Sequence, residues 1–429
     1  MSLSTTVMEE ARQLDSAFRA TSTFVGPLHG IPVIVKDQID TAGLRTTYGS
    51  VTAQENIPQK DAEVVRRLRE AGALVLAKAT LPDWASSFYS TSSISGTTRN
   101  PYDLVRDPGG SSSGTAAAIA ASLGVIGLGG DTMGSIRLPC SWCGLVGLKC
   151  TPGVVDGRGI SPLLSKYDSA GPMTRTVRDA AITMDVIANR SPECGSYAAH
   201  LDVASLKKAR LGVLVSAFGD DADPSCNAVN EVIRKALQVV QHSGCVLIPL
   251  SLPHLVNSIN LTPGLYANSR VDLDKFMADR PALANMSFTQ LVSEQRFHPS
   301  CELLPTIASP SSTTNHETRD IAETATLREI ILDVLRKENL DALVFPDVQI
   351  PAVTRKEALA ATFKTLQLPT NTFLAAQAML PAISVPAGTT PAGLPVGLEI
   401  MGRPLGEQRL LDLAYGFEDM VKGRVPPQL

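Results

Sequence analysis

Residues 107–153 read DPGGSSSGTAAAIAASLGVIGLGGDTMGSIRLPCSWCGLVGLKCTPG, with serine- and glycine-rich turns on both sides of an alanine-rich run. Alanine favours helix and serine is a good capping residue, so residues 114–124 are predicted to form a helix. The apolar residues 125–131 predict a short buried strand that leads into Ser135. The serines therefore lie within a core helix–strand unit, which argues against a flexible linker.

Two known serine and glycine motifs match this stretch only in part. Gly109 and Gly114 have the spacing of a phosphate-binding loop, but the lysine that reaches the phosphates is absent. GSSSG at 110–114 matches a nucleophile elbow centred on Ser112, which requires a strand directly before it and a histidine late in the chain. The preceding residues, 100–108, do not predict a strand, and the last histidine of the chain is His316, so neither requirement is met. Any serine nucleophile here needs a base other than histidine.

Lysine is the alternative base, and Lys36 follows the apolar run Ile31–Val35. Burial lowers the pKa of a lysine, and a neutral amine can accept a serine proton. A lysine at a strand end can equally extend its ammonium group into solvent. The local sequence leaves both interpretations open.

Composition excludes several classes of protein. The 429 residues are 44% hydrophobic and 19% charged, with a net charge of -4 and no basic run longer than residues 207–210. Nucleic-acid binding is therefore not expected as the main activity. Seven cysteines, no leader-like start and no apolar run of about 18 residues predict a cytoplasmic protein without a membrane segment. Cys140 and Cys143 form an isolated CxxC pair, which we interpret as buried apolar side chains and not as a metal site.

The order of predicted elements indicates an α/β protein. We expect one domain, 1–429. Its core is expected to comprise residues 20–185 and 340–429. The variable part, residues 190–340, is expected to shape a substrate pocket. Residues 252–325 look less regular, and 308–320 resemble a mobile surface loop. Helices are predicted at 5–20, 61–71, 225–242, 322–338 and 407–421, and strands at 31–35, 73–80, 211–219, 244–250, 341–346, 380–388 and 393–402.

Three stretches together resemble the amidase signature family in order and spacing: residues 26–40, 107–153 and 380–402. The resemblance covers most of the chain and is strongest over 24–180 and 340–420. It implies an α/β/α sandwich, in which helices cover both faces of a large, mixed and twisted central β-sheet.

The resemblance also implies roles for individual residues. Lys36 matches the general base, and Ser111 matches a bridging serine that follows a cis peptide bond. Ser135 matches the nucleophile, and Ser112 matches a serine that supports Lys36. A hydroxyl group can donate and accept a proton at once, so Ser111 can relay the proton from Ser135 to Lys36.

The turn before the nucleophile is implied to form the oxyanion hole. Its backbone N–H groups belong to Thr132, Met133, Gly134 and Ser135. The flanking charges, Asp131 and Arg137, are expected to form a buried ion pair that fixes this turn. No metal or cofactor is implied.

The chain departs from the family pattern at a few positions. Met133 and Ser113 stand where glycine is usual, Cys140 where alanine is usual and Cys150 where proline is usual. A positive φ at position 133 would strain a methionine. Since no catalytic group is lost, these changes predict an unusual substrate pocket.

The expected function is a serine amidase that hydrolyses the C–N bond of linear amides through an acyl-enzyme. Its expected partner is a small-molecule amide or ester, and a homodimer is one option for its assembly. Alternatives are an acyltransferase or amide synthase, a protein like the A subunit of glutamyl-tRNA amidotransferase, and a non-catalytic binding protein on the same scaffold. Pocket residues are expected at 84–90, Met133, Tyr167 and 252–320.

Overall fold

The computed structural model describes residues 2–189, 193, 195–253, 255, 263–309 and 316–429. The strands are β1 (Pro32–Lys36), β2 (Leu74–Ala79), β3 (Ile126–Asp131), β4 (Val146–Lys149), β5 (Ser169–Thr174), β6 (Arg210–Leu214), β7 (Val246–Leu250), β8 (Ala342–Pro346), β9 (Ala382–Thr389) and β10 (Pro395–Met401). The helices are α1 (Val7–Thr21), α2 (Glu63–Glu70), α3 (Ser113–Ala120), α4 (Arg137–Trp142), α5 (Val177–Ile187), α6 (Pro224–His242), α7 (Pro263–Ala278), α8 (Phe288–Ser293), α9 (Leu303–Ala308), α10 (His316–Lys337), α11 (Arg355–Leu359), α12 (Phe373–Gln377) and α13 (Glu407–Val421).

The described strands form one mixed sheet in the order β2-β1-β3-β5-β4-β9-β10-β8-β6-β7. Strands are parallel at both ends of the sheet, where β1 pairs with β2 and β3, and β6 pairs with β7 and β8. The middle of the sheet is antiparallel. The predicted large mixed sheet is therefore confirmed.

Both faces of the sheet are covered by helices, as the family resemblance implies. Successive side chains of a strand point to opposite faces. Val33 and Val35 belong to an apolar core with α2, α5, α6 and α13. Ile34, between them, belongs to a different core with α3 and α4. In β8, Val344 and Phe345 likewise belong to different cores.

The elements that carry the candidate site meet at one edge of the sheet. Strands β1 and β3 are parallel neighbours, with Val35 opposite Leu128. Their carboxyl ends therefore bring Lys36 and Asp131 to the same edge. The amino end of α3 and the turn before α4 lie at this same edge.

Two strands of the sheet have no local sequence signal. Strand β5 contains Pro172, which lies opposite Leu128 of β3, and proline is rare in a central strand because it cannot donate to the ladder. Strand β4 ends at a fully buried lysine, Lys149. Neither strand was therefore predicted.

Some predicted boundaries were wrong. Strand β6 ends at Leu214 and not at residue 219, because a 3-10 turn follows at Val215–Ala217. The predicted loop at 308–320 was wrong after residue 315, since α10 begins at His316. Residues 310–315 of that loop lie outside the described residues.

The region expected to be less regular, 252–325, contains the helices α7, α8 and α9. The six described cysteines, Cys140 and Cys143 among them, are free and buried, as expected for apolar packing. None of the described helices combines the length and apolar character that crossing a membrane requires.

We predict that Gly114→Ala destabilises the protein and that Gly157→Ala does not. The Gly114 N–H donates to the Thr80 carbonyl over 2.9 Å, and an added Cβ would overlap the Thr80 backbone. Overpacking of this kind costs about 1–3 kcal/mol. Nothing lies within 4 Å of a Cβ at Gly157. Denaturant unfolding measures both, and equal stability of Gly114→Ala and the wild type would contradict the close packing of α3.

Candidate active site

The side chain of Lys36 lies inside the protein, at the carboxyl end of β1. It is 0% exposed. Its Nζ donates to the hydroxyl of Ser111 over 2.9 Å and to the carbonyl of Gly130 over 3.1 Å. The alternative of an ammonium group extending into solvent is therefore excluded.

Burial changes the protonation of this lysine. Loss of hydration lowers the pKa of Lys36 from 10.5 to about 7. The carboxylates of Asp131 and Asp168 act in the opposite direction and raise the pKa by less. A substantial fraction of Lys36 is therefore neutral near pH 7, and its amine can accept a proton.

The serines before α3 lie close to Lys36 and Ser135. A cis peptide bond joins Gly110 to Ser111, as the resemblance implies. The Ser112 N–H donates to the Ser135 carbonyl over 3.1 Å, and the Ser112 hydroxyl donates to the Gly130 carbonyl over 3.3 Å. Ser112 therefore shares an acceptor with Lys36 and links both serine turns.

Asp131 and Arg137 form the predicted buried ion pair. Arg137 Nη2 lies 3.1 Å from Asp131 Oδ1, and both side chains are 0% exposed. Burial raises the pKa of Asp131, but Arg137, Lys149 and the backbone N–H of Ile136 together lower it below its usual value. Arg137 also contacts Glu399 of β10 at 2.6 Å, a partner that the sequence analysis missed.

The backbone between these charges is held from both sides. The Asp131 carboxylate accepts the N–H of Gly134 at 2.7 Å and that of Ile136 at 3.1 Å. From the other side, the Thr372 hydroxyl donates to the Met133 carbonyl over 2.9 Å. Gly134 has a φ of 137°, and a Cβ there would overlap Thr372. Glycine is therefore required at this position of the turn.

The predicted set of four oxyanion-hole N–H groups needs one correction. Since the Gly134 N–H already donates to Asp131, it is not free for a substrate oxygen. The N–H groups of Met133 and Ser135 have no acceptor within the part of the chain that the structure describes. Met133 does not have a positive φ, so it carries no such strain.

Asp168 was missed by the sequence analysis. It is half-buried, accepts from the Thr132 hydroxyl over 2.5 Å and accepts the Leu163 N–H over 2.9 Å. It thereby fixes Thr132, whose N–H is the first of the predicted hole. The only sequence signal is an aspartate directly before the small, apolar segment 169–173.

A narrow cavity adjoins Ser135. Its volume is about 10 Å³, which is about enough for one water molecule. Residues 85–88, Met133 and Leu303 line it, all from the stretches expected to form a pocket. Tyr167, also expected there, does not line this cavity and packs in the same apolar cluster as Met133.

A second, larger cleft shares Thr132 with this cavity and has a volume of about 640 Å³, within the usual range for ligand sites. Its lining is strongly charged and comes partly from α7. The charged residues include Arg158, Asp168, Asp272, Lys275, Asp279 and Arg280.

The arrangement joins a buried amine, a bridging hydroxyl and a second serine beside a turn whose Met133 and Ser135 N–H groups have no acceptor among the described residues. Among the described residues, the Ser135 hydroxyl has no hydrogen-bond partner, so the contact between the Ser111 and Ser135 hydroxyls is not closed. Catalytic hydrogen bonds often tighten only when substrate binds. The described residues contain no cluster of three His, Cys, Asp or Glu side chains that could hold a metal ion.

Comparison with known proteins agrees with these motifs. The family model described as Amidase matches residues 1–411. The A subunit of glutamyl-tRNA(Gln) amidotransferase from Moorella thermoacetica is 33% identical over 430 residues, which cover 96% of this chain and 86% of that protein. The structure of native peptide amidase from Stenotrophomonas maltophilia matches with a TM-score of 0.84 and 31% identity, over 99% of this chain and 89% of that chain.

An amidase family protein from Bacillus anthracis str. Ames has a similar structure, with a TM-score of 0.83 and 28% identity over 100% of this chain and 84% of that chain. The matches extend over nearly the whole chain, including both serine turns and Lys36. The chain therefore belongs to the amidase family, the one that its motifs resemble.

Proposed function

We propose that the protein is a serine amidase that hydrolyses the C–N bond of a linear carboxylic amide through an acyl-enzyme. Ser135 is the nucleophile, Ser111 relays the proton and Lys36 is the general base. The observation that carries this proposal is the 2.9 Å hydrogen bond from the buried Lys36 Nζ to Ser111 Oγ. It combines a lysine of lowered pKa with a hydroxyl group that can pass on a proton.

In the first step, Ser135 Oγ attacks the amide carbonyl. Its proton passes to Ser111 Oγ, while the Ser111 proton passes to the neutral amine of Lys36. Lys36 then returns the proton to the leaving nitrogen, because an amide nitrogen leaves only as an amine. Water attacks the acyl-enzyme by the same route and releases the carboxylic acid.

The negative charge on the carbonyl oxygen needs hydrogen-bond donors. The N–H groups of Met133 and Ser135, which have no acceptor among the described residues, are the donors that we propose, with Thr132 beside them. Removing one such donor typically slows catalysis about 100- to 1000-fold. The bonds of Asp131 and Asp168 to this turn hold the donors in place before substrate binds.

The proposed substrate is a small-molecule amide or ester, the proposed location is the cytoplasm, and no cofactor is invoked. A homodimer remains one option for the assembly. Two adjoining spaces support a small ligand: the narrow cavity at Ser135 and the larger cleft with charged side chains that shares Thr132 with it.

A second candidate function rests on the 33% identity to the A subunit of a glutamyl-tRNA(Gln) amidotransferase over 96% of the chain. In that case the protein would use glutamine as an amide donor, act with partner subunits and serve a tRNA, contrary to the expectation of no nucleic acid. A glutaminase assay of the isolated chain, with and without a simple amide as competitor, separates the two candidates. Turnover of simple amides without glutaminase activity favours the amidase.

We predict that Ser135→Ala and Lys36→Ala each reduce hydrolysis of p-nitrophenyl acetate or a simple anilide by at least about 100-fold, the lower range for loss of general base catalysis. The reason is that one lacks the nucleophile and the other lacks the proton acceptor. Ser135→Ala should also lose labelling by a fluorophosphonate, measured as intact mass.

Ser113→Ala is the matched control for these variants. Ser113 is a buried serine of the same turn, and its hydroxyl has no hydrogen-bond partner among the described residues. Removal of this hydroxyl should leave the rate of hydrolysis within about threefold of the wild-type rate, because a hydroxyl without a partner contributes little to the stability of the turn. Near-normal turnover by Ser135→Ala or Lys36→Ala would refute the assigned roles.

We predict that activity falls as the pH decreases through about 7, the pKa to which burial lowers Lys36. Below this pH the amine becomes protonated and cannot accept the Ser111 proton, so kcat/KM should fall about tenfold per pH unit. Asp168→Asn removes a carboxylate that raises this pKa, so its acid limb should shift to lower pH.

Both effects are measured from the pH profile of kcat/KM between about pH 5 and 9, the range in which a lysine of this lowered pKa changes its protonation. Asp333→Asn, on the exposed face of α10, is the control and should keep the wild-type limb. The interval from pH 8 to 6 covers about one unit on each side of this pKa. A flat profile over that interval would contradict a neutral Lys36 as the base.

A further inference from the structure

The side chain of Met133 lines the narrow cavity beside Ser135. Met133 is 5% exposed and lines the cavity together with Ser135 itself. The other large lining residues are all apolar: Phe88, Leu163, Leu303, Leu366 and Phe373. Because the remaining volume is about 10 Å³, the cavity has room for about one water-sized group while the Met133 side chain is in place.

The backbone that carries Met133 is fixed independently of its side chain. The Met133 carbonyl accepts from Thr372, and the next N–H, of Gly134, donates to Asp131. The unusual φ of the turn falls on Gly134, not on Met133. A change of the side chain at position 133 therefore alters the cavity without changing the conformation of the turn.

The two spaces next to the reaction centre differ in size and polarity. The cleft that shares Thr132 with this cavity has a volume of about 640 Å³ and carries charged groups such as Asp272, Lys275 and Arg280. An attacked carbonyl carbon has two substituents, one on the acyl side and one on the leaving side. Apolar pockets favour apolar groups, and the charged cleft favours a polar or ionic group.

We propose that Met133 determines specificity by size: it restricts one substituent of the scissile carbonyl to a small apolar group, while the other substituent is larger and polar. This inference rests on the proposed function, since it places the attacked carbonyl at Ser135. Replacing methionine by alanine removes the γ-carbon, the sulfur and the ε-methyl group. The space so opened admits a longer alkyl chain.

The test uses two series of alkyl fluorophosphonates. One series lengthens the alkyl group on phosphorus from methyl to octyl with a constant O-ethyl group, and the other lengthens the O-alkyl group with a constant P-methyl group. In each reaction Ser135 Oγ forms a bond to phosphorus, the P–F bond breaks, and fluoride leaves while the serine proton passes to the base. Intact-mass measurements give the labelling rate for every probe.

We expect the wild type to react more slowly with longer probes in one of the two series. Met133→Ala should raise the rate of the longer probes, relative to the shortest, by about 10-fold or more in that series, since each methylene in an apolar pocket changes specificity by about that factor. The other series should stay within about twofold. Leu366→Ala, which widens the same cavity from another side, should act in the same direction and serves if Met133→Ala does not fold.

Two variants serve as controls. Met133→Leu keeps most of the volume and should keep the wild-type length dependence. Met286→Ala makes the same truncation in the same apolar cluster but away from the cavity, and it should also leave the profile unchanged. If Met133→Ala and Leu366→Ala are both labelled but keep the wild-type length dependence in both series, the inference is overturned and the proposed function stays intact. If even the shortest probe does not label Ser135 of the wild type, the proposed function itself fails.

Discussion

The burial of the Lys36 amine is the constraint on which the rest of the site depends. A charged ammonium group without water is costly, and here it has two described acceptors, the Ser111 hydroxyl and the Gly130 carbonyl. The structure meets this cost by favouring the neutral amine near pH 7. Each acceptor comes from a different element, the turn before α3 and the end of β3. Both must therefore be placed accurately against the end of β1, where the three elements share one sheet edge.

The second requirement is a rigid turn before Ser135. Asp131 supplies acceptors for the backbone and for Arg137, while Thr372 and Asp168 hold the turn from more distant parts of the chain. This division separates two properties of the site. Charged and polar contacts fix the backbone, whereas the side chain of Met133 only fills space. A pocket can therefore change its size without loss of the hydrogen bonds on which catalysis is proposed to depend.

The parts of the site that could be predicted are those with a local signal. Helix α3 and strands β1 and β3 follow from alanine content and apolar runs, and the spacing of the serines points to the family. Strand β5 could not be predicted, because Pro172 contradicts the usual strand pattern and the pairing of this strand with β3 and β4 leaves no local signal in its own sequence. Asp168, Glu399 and Thr372 could not be assigned either, because their partners in the site lie 36 to 262 positions away in the chain.

The sequence alone determined the family, the mixed α/β architecture and the positions of Lys36, Ser111 and Ser135, because these depend on short motifs and on their order. Only the tertiary structure decided that Lys36 is buried, that the Gly134 N–H is already used by Asp131 and that Met133 lines the cavity beside Ser135. The physical reason is that protonation, hydrogen-bond occupancy and cavity size depend on every atom packed around a group. Most of those atoms come from remote parts of the chain.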